Sequence, residues 1–179
     1  FYTENVRIMA HQFIVDRTQK TRLLDWLVEA DSFEEQVERV CGMCKSGEQK
    51  LSEYYHLCER VSASLSGDTK QLFDSTVLLQ AKIHFYCAKG MRIFGEALAE
   101  FWNKNYKKAF ILAGNSAECY EKAEKEMRAS EYGIWEGFYY NDCFADIKHS
   151  AYMIKKVMGV IREYGDNARH DKWYRETVY

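Results

Sequence analysis

The stretch Asp31-Ser32-Phe33-Glu34-Glu35-Gln36-Val37, followed on to Ser64-Leu65-Ser66-Gly67-Asp68, decides the fold class. Ser32 with Glu35 three residues later is a capping box, in which the hydroxyl and the carboxylate satisfy orphan donors at a helix start. Val37, Cys41, Cys44, Leu51, Tyr55, Cys58 and Leu65 then recur at helical spacing, so one long helix runs to about Ser64. Gly67 suits a left-handed C-terminal cap, and Asp68 can cap the next helix. The rest of the chain extends this reading. Its 179 residues include no proline, where average usage predicts roughly nine. Proline costs ~3 kcal/mol inside a helix but is common in turns and at sheet edges, so its absence points to a chain spent almost wholly in helix.

Four further segments complete the chain. The first runs from Tyr2 to Ala30, with Phe13, Leu23, Leu24 and Leu27 among its apolar positions. The third spans Thr69 to about Trp102, with Phe73, Val77, Cys87, Met91, Phe94, Leu98 and Phe101 inward. Asn103-Lys104-Asn105 breaks it. The fourth covers Tyr106 to Ala129, and its Ala109, Ala113, Ala117 and Ala123 let a neighbouring helix approach closely. A fifth runs to about Tyr164, ended by Gly165-Asp166-Asn167, with a short helix or tail beyond. Long helices joined by short turns fold back on one another. The expectation is all-α, an up-and-down antiparallel bundle of about five long helices forming one domain over 1–179. Because the chain begins at Phe1, a fragment of a longer multidomain protein is expected.

Composition narrows the function. A formal charge of −2 leaves no basic footprint for nucleic acid. The longest apolar runs, such as Ala109-Phe110-Ile111-Leu112-Ala113, fall far short of the ~20 residues that span a bilayer, so no membrane partner is expected. Six cysteines (Cys41, Cys44, Cys58, Cys87, Cys119 and Cys143) are scattered through helices. Cys41-Gly42-Met43-Cys44 has no second ligand pair to complete a zinc site. Buried thiols acting as small hydrophobes fit better, and free thiols point to a reducing, cytoplasmic compartment.

No nucleophile elbow, P-loop or dinucleotide fingerprint is present, and neither a catalytic residue nor a cofactor is assigned. A di-iron bundle would use Glu-x-x-His on two helices. Glu53-Tyr54-Tyr55-His56 matches and Asp146-Ile147-Lys148-His149 nearly does. Helical geometry turns Glu53 about 180° and His56 about 120° from the inward Cys44. Asp146 and His149 likewise flank Ile147, so the four cannot converge on a metal. His84 and Gln80 fall on the inward stripe of their helix and are expected in a small buried network with Tyr55 or Tyr120. The turn Asn105 to Ala109 suggests a tetratricopeptide repeat, yet no 34-residue period recurs.

The least helical stretch is Glu131 to Phe138, leading into Tyr139, Tyr140, Asn141 and Asp142. Trp135, Phe138, Tyr139 and Tyr140 beside Asn141 and Asp142 form either a sugar-stacking or interdomain contact surface or a plug that packs the loop onto the bundle end, Asn141 or Asp142 capping the fifth helix. Gln80-Ala81-Lys82, the small-residue helix Ala109 to Ala123 and Gly133-Ile134-Trp135-Glu136-Gly137 carry a resemblance. From its third to its fifth helix the chain resembles the helical-bundle domains that follow the catalytic barrel in large bacterial glycoside hydrolases. It is similar to those of the α-glucuronidases acting on xylan and, more loosely, of hexosaminidase-like families, where a Gly-x-Trp segment also closes a helix pair. The catalytic acids there belong mainly to the barrel. The resemblance implies a non-catalytic accessory domain whose partners are other domains of its parent chain, an oligosaccharide, or a second copy in a homodimer. The alternative is a tetratricopeptide-like or four-helix protein-interaction scaffold.

Overall fold

The computed structural model describes residues 2–15, 30–141 and 146–178; side chains at 141 and 168–178 are not described. Among the described residues there is no strand. The elements are α1 (Tyr2–Val15), α2 (Phe33–Ser64), α3 (Gly67–Phe73), a π turn (Asp74–Leu78), α4 (Leu79–Trp102), α5 (Tyr106–Ala129) and α6 (Ile147–Val178), with two 3₁₀ turns (Gly133–Trp135 and Phe138–Asn141) between α5 and α6. The chain is an all-α bundle. No helix is long and apolar enough to cross a membrane among the described residues.

Local chemistry sets most boundaries. At the start of α2 the Ser32 hydroxyl accepts from the Glu35 amide at 3.2 Å, and the Glu35 carboxylate accepts from the Asp31 amide at 3.0 Å. Both orphan donors are thus met, the first as the capping box predicts. At the α2–α3 junction the expected caps are corrected: Leu65 caps the end of α2 and Ser66 precedes α3, so Gly67, at φ +56° which costs glycine nothing, and Asp68 both fall inside α3. The end of α4 is a Schellman motif: Lys104 at φ +63° donates to the Phe101 carbonyl and Asn105 to that of Glu100.

Three further expectations are corrected. The third helix is a rod over 67–102 interrupted by the π turn. Phe73 packs against the small cluster of Cys58, Leu78 and Ala81, and Val77 is left 38% exposed. Second, α6 does not stop at Gly165-Asp166-Asn167 but continues to Val178. A Cβ on Gly165 would lie 3.2 Å from that of Tyr106, so this glycine serves a close approach and not a helix stop. Third, His84 and Gln80 are exposed. They lie on the inward stripe one and two turns before Cys87, and the first described turn of α1 comes level only with Cys87. Of the first predicted segment, α1 covers Tyr2–Val15; residues 16–29, including Leu23, Leu24 and Leu27, lie outside the described residues.

Chain direction alternates from each long element to the next. Arg92 meets Glu48 at 2.5 Å and Ser62 meets Asp74 at 2.5 Å, which set α2 against the rod. Lys82 to Glu126 and Lys108 to Glu100, both 2.5 Å, do the same for α4 and α5, and Lys155 with Glu121 for α5 and α6. Helix α1 lies against both α4 and α6. Its Phe13 ring meets Phe101 edge-on at 4.7 Å, and Phe101 meets Tyr164 at 5.1 Å.

The tightest seam joins α4 to α5. Ala109, Ala113, Ala117 and Ala123 are buried along it, and small side chains bring helix axes toward the short end of the usual ~8–10 Å range. Ser116 donates to the Gly90 carbonyl at 2.7 Å. The fully buried Tyr120 lays its ring against Gly90, and its hydroxyl lies 3.2 Å from the Tyr2 carbonyl and 3.3 Å from that of Cys87. A Cβ on Gly90 would sit 2.7 Å from the Tyr120 ring. Such overpacking costs ~1–3 kcal/mol, against a helix-propensity gain of ~1 kcal/mol. Gly159 has nothing within 4 Å of its would-be Cβ. Chemical denaturation should therefore show Gly90→Ala neutral to destabilised, by about 0–2 kcal/mol, and Gly159→Ala stabilised by about 0.5–1 kcal/mol. A shift in the same direction for both would contradict this seam.

Candidate functional site

Helix α5 ends where its last carbonyls are taken up locally. The Ser130 amide reaches the Glu126 and Met127 carbonyls, and its hydroxyl donates to Met127 at 2.7 Å. The next residue organises the whole α5–α6 loop. The Glu131 side chain, 7% exposed, turns back into its own loop. One carboxylate oxygen accepts from the Gly137 amide at 3.0 Å and the other from the Tyr139 amide at 2.8 Å. Gly133 (φ +55°) and Gly137 (φ +78°) supply the left-handed residues that let two 3₁₀ turns fit under this brace. A carboxylate holding two backbone donors is among the stronger kinds of hydrogen bonding, so the loop is fixed by its own sequence.

The braced loop turns its aromatic residues outward. Trp135 is 52%, Phe138 59% and Tyr140 63% exposed, and Ile134 stands 92% clear. The Trp135 and Phe138 rings meet edge-on at 5.5 Å. Arg128 and Lys148 lie 5.0 and 5.4 Å from the centre of the Tyr140 ring. Of the four aromatics named from sequence, Tyr139 alone packs against the core, while its ring also meets Phe138 at 5.1 Å. Asn141 ends the second 3₁₀ turn, and Asp142 lies outside the described residues. Asn141 does not cap the last helix. The residue before α6 is Asp146, whose carbonyl accepts from the Ser150 amide at 3.1 Å and whose carboxylate binds Arg7 at 2.9 Å and His149 at 3.1 Å.

Beside this loop is a cleft of about 540 Å³, lined by Lys70, Gln71, Asp74, Lys82, Glu126, Glu131 and Tyr132 among others. The π turn forms one wall, and Tyr132 and Glu131 belong to cleft and loop alike. Single π turns inside longer helices are frequent at functional sites because they re-aim side chains. The lining alternates in charge: Lys70 pairs with Asp74 at 2.9 Å and Lys82 with Glu126 at 2.5 Å. A larger groove of about 1230 Å³ lies elsewhere, with Phe110, Ile111 and Leu112 of α5 and Ile161 of α6 in its lining beside Lys104, Lys107, Lys108 and Arg162.

The cleft holds one arrangement that sequence reasoning missed. Ser62, on α2, donates to Asp74 at 2.5 Å, and the Lys70 ammonium contacts both the Ser62 hydroxyl at 2.5 Å and its carbonyl at 3.2 Å. A serine beside a lysine suggests a nucleophile and base, but a base must be neutral. The Lys70 amine is tied up in an ion pair with the Asp74 carboxylate at 2.9 Å, and the Asp74 carboxyl is itself held below its ordinary range by the Ser62 hydroxyl and then by Lys70. The trio clasps the C-terminal end of α2 to the rod. No local sequence pattern marks it, since Ser62 and Asp74 meet only once the hairpin closes.

The remaining candidates do not converge. Glu53 and His56 are exposed, with His56 paired to Glu59 at 2.9 Å. Among the described residues no group of three His, Cys, Asp or Glu side chains could hold a metal ion. The five described cysteines are free, four of them buried. Burial pushes the thiols of Cys41, Cys44 and Cys87 up to about 12, which keeps them protonated and unreactive near neutral pH. Cys143 lies outside the described residues. Comparison with protein-family models, with curated proteins and with solved structures finds no match to this chain.

The Glu131 brace is testable apart from any ligand. Replacing Glu131 by Ala removes the acceptor for two amides, and hydrogen bonds to a charged group contribute ~1.5–3 kcal/mol each. Hydrogen exchange should show the Gly137 and Tyr139 amides released at least about tenfold faster, while amides in the middle of α4 and α5 change little. Unaltered exchange at both loop amides would remove Glu131 from its role.

Proposed function

We propose that this chain is a non-catalytic helical accessory domain of a carbohydrate-active enzyme, and that it touches an oligosaccharide through the 131–140 loop and the adjoining cleft. The observation that carries the proposal is the pairing of outward-facing Trp135, Phe138 and Tyr140 with a polar cleft sharing Tyr132 and Glu131. Sugar rings present apolar faces that stack on aromatic side chains and hydroxyls that need many polar partners. Lys70, Gln71, Asp74, Lys82 and Glu126 offer both donors and acceptors. A volume near 540 Å³ falls within the ~300–1,000 Å³ of small-molecule sites. The resemblance of the α4–α6 region to the bundles of xylan-acting α-glucuronidases supports the same reading. The bundle then acts as a stiff support, and the loop between α5 and α6 as its contact.

Ile134 favours a second reading. A side chain 92% exposed beside Trp135 and Phe138 has nothing to offer a sugar hydroxyl, whereas an apolar patch of this kind suits another protein surface. In this reading the bundle is an interaction scaffold and the tip packs on a neighbouring domain.

A thermal-shift series with neutral and acidic oligosaccharides separates the two. Ligand at 100 times its dissociation constant adds ~2.7 kcal/mol of apparent stability. The sugar reading expects a raised melting temperature with at least one class and its loss in Trp135→Ala, whose ligand-free melting temperature stays unchanged. No response to any sugar, with tip substitutions that instead weaken docking to an adjoining catalytic domain, would favour the scaffold.

A further inference from the structure

Helix α2 is the outlying member of the bundle. Its inner face, with Val37, Cys44, Cys58 and Ser62 buried, lies along α4 and the π turn. Its exposed surface is not uniformly the polar one expected of a peripheral helix. Tyr54 is 46%, Leu57 48% and Val61 37% exposed. They are spaced by three and then four residues, the alternation that forms the seam between two packed helices.

The charges beside this row decide what fits it. Glu53 and Arg60 are seven residues apart, so both lie on the same flank of the row. Each is exposed, and neither has an ion-pair partner among the described residues. Of the neighbouring charges, His56 pairs with Glu59 on α2 and Arg92 with Glu48 across to α4, while the exposed Lys50 stands at the end of the row without an ion-pair partner among the described residues. On the opposite flank Leu51, Cys58 and Leu65 turn toward the bundle and leave no second charged edge. An unrelated partner would need its own matched acid and base. A second copy of this chain already carries them. When two α2 helices pack antiparallel about a twofold axis near Leu57, the two Leu57 side chains meet and each Tyr54 faces the other's Val61. Glu53 of each copy then faces Arg60 of the other, twice over. Parallel packing would instead set each flank against the uncharged Leu51 and Cys58 edge.

We infer that the outer face of α2 is a self-association surface, on which two copies of this chain pack antiparallel across Tyr54, Leu57 and Val61 with reciprocal Glu53–Arg60 pairs. Such an interface is isologous, the commonest form among homo-oligomers. The row spans only two turns, so the contact belongs to the weak, reversible class. It is independent of the sugar reading, since the tip and the cleft use other residues.

Sedimentation velocity on the 179-residue chain, from about 5 to about 500 µM at low salt, reads the association directly. The expected result is a mass rising from 21.1 kDa toward twice that value with concentration. Arg60→Glu leaves only acids on the flank and Glu53→Arg only bases, so each variant alone should associate at least about tenfold more weakly. Mixing the two variants should restore association as a heterodimer, because the acidic flank of one then meets the basic flank of the other. Both positions are exposed, and helical content by circular dichroism should match the parent chain. A parent chain that stays monomeric, a dimer indifferent to both substitutions, or a mixture that fails to associate would each overturn the inference.

Discussion

Tyr120 against Gly90 is the contact on which the rest of this structure depends. The ring takes the place a side chain would occupy on α4, so α4 and α5 close on each other to backbone distance. The Ser116 hydroxyl bonds to the Gly90 carbonyl at the same level, satisfying a buried polar group within the seam. The Tyr120 hydroxyl reaches past α4 to the Tyr2 carbonyl and fixes the first turn of α1 beside both helices. One side chain therefore links three elements. Burial forbids the phenolate: the hydroxyl is pushed well above its ordinary range by desolvation, so it serves as a neutral donor.

The seam sets a fixed height for the end of α5. Once α5 is locked along its alanine face, Met127 is buried and Ser130 closes the helix. Glu131 then emerges where it can fold back on its own loop. The aromatic tip is rigid for two reasons, a packed helix beneath it and a carboxylate brace within it. The cleft beside it owes its wall to the π turn, and that wall is pinned to α2 by Ser62, Lys70 and Asp74. On the proposed reading, a contact built on such supports would lose little conformational freedom on binding, which is where much of the cost of association otherwise lies.

Much of this was legible in the sequence wherever the deciding interaction was local. Ser32 and Glu35 marked the start of α2 and Asn103-Lys104-Asn105 the α4–α5 turn, because each acts through backbone groups a few residues away. The inward rows of α2 and α5 were legible for the same reason, periodicity being a local signal. The features that stayed hidden depend on distant neighbours. Gly165 has the sequence signature of a helix stop and the structural role of a close approach, and only the position of Tyr106 distinguishes the two. Val77 was placed inward by counting 3.6 residues per turn, and the π turn adds a residue that no pattern announces. His84 and Gln80 lie on the correct stripe but beyond the described reach of α1. At the tip, the aromatic cluster was visible at once. Its outward direction was not, since it depends on Glu131 capturing the Gly137 and Tyr139 amides.

Native-state hydrogen exchange over the whole chain tests most directly whether the α4–α5 seam holds the bundle together. Amides open in cooperative units, and the slowest report the unit that opens last. If Tyr120 against Gly90 is the central contact, the slowest amides lie between Cys87 and Leu98 on α4 and between Ala113 and Ala123 on α5, with α2 opening earlier and independently. Slowest exchange in α2, or uniform exchange across all the helices, would contradict it.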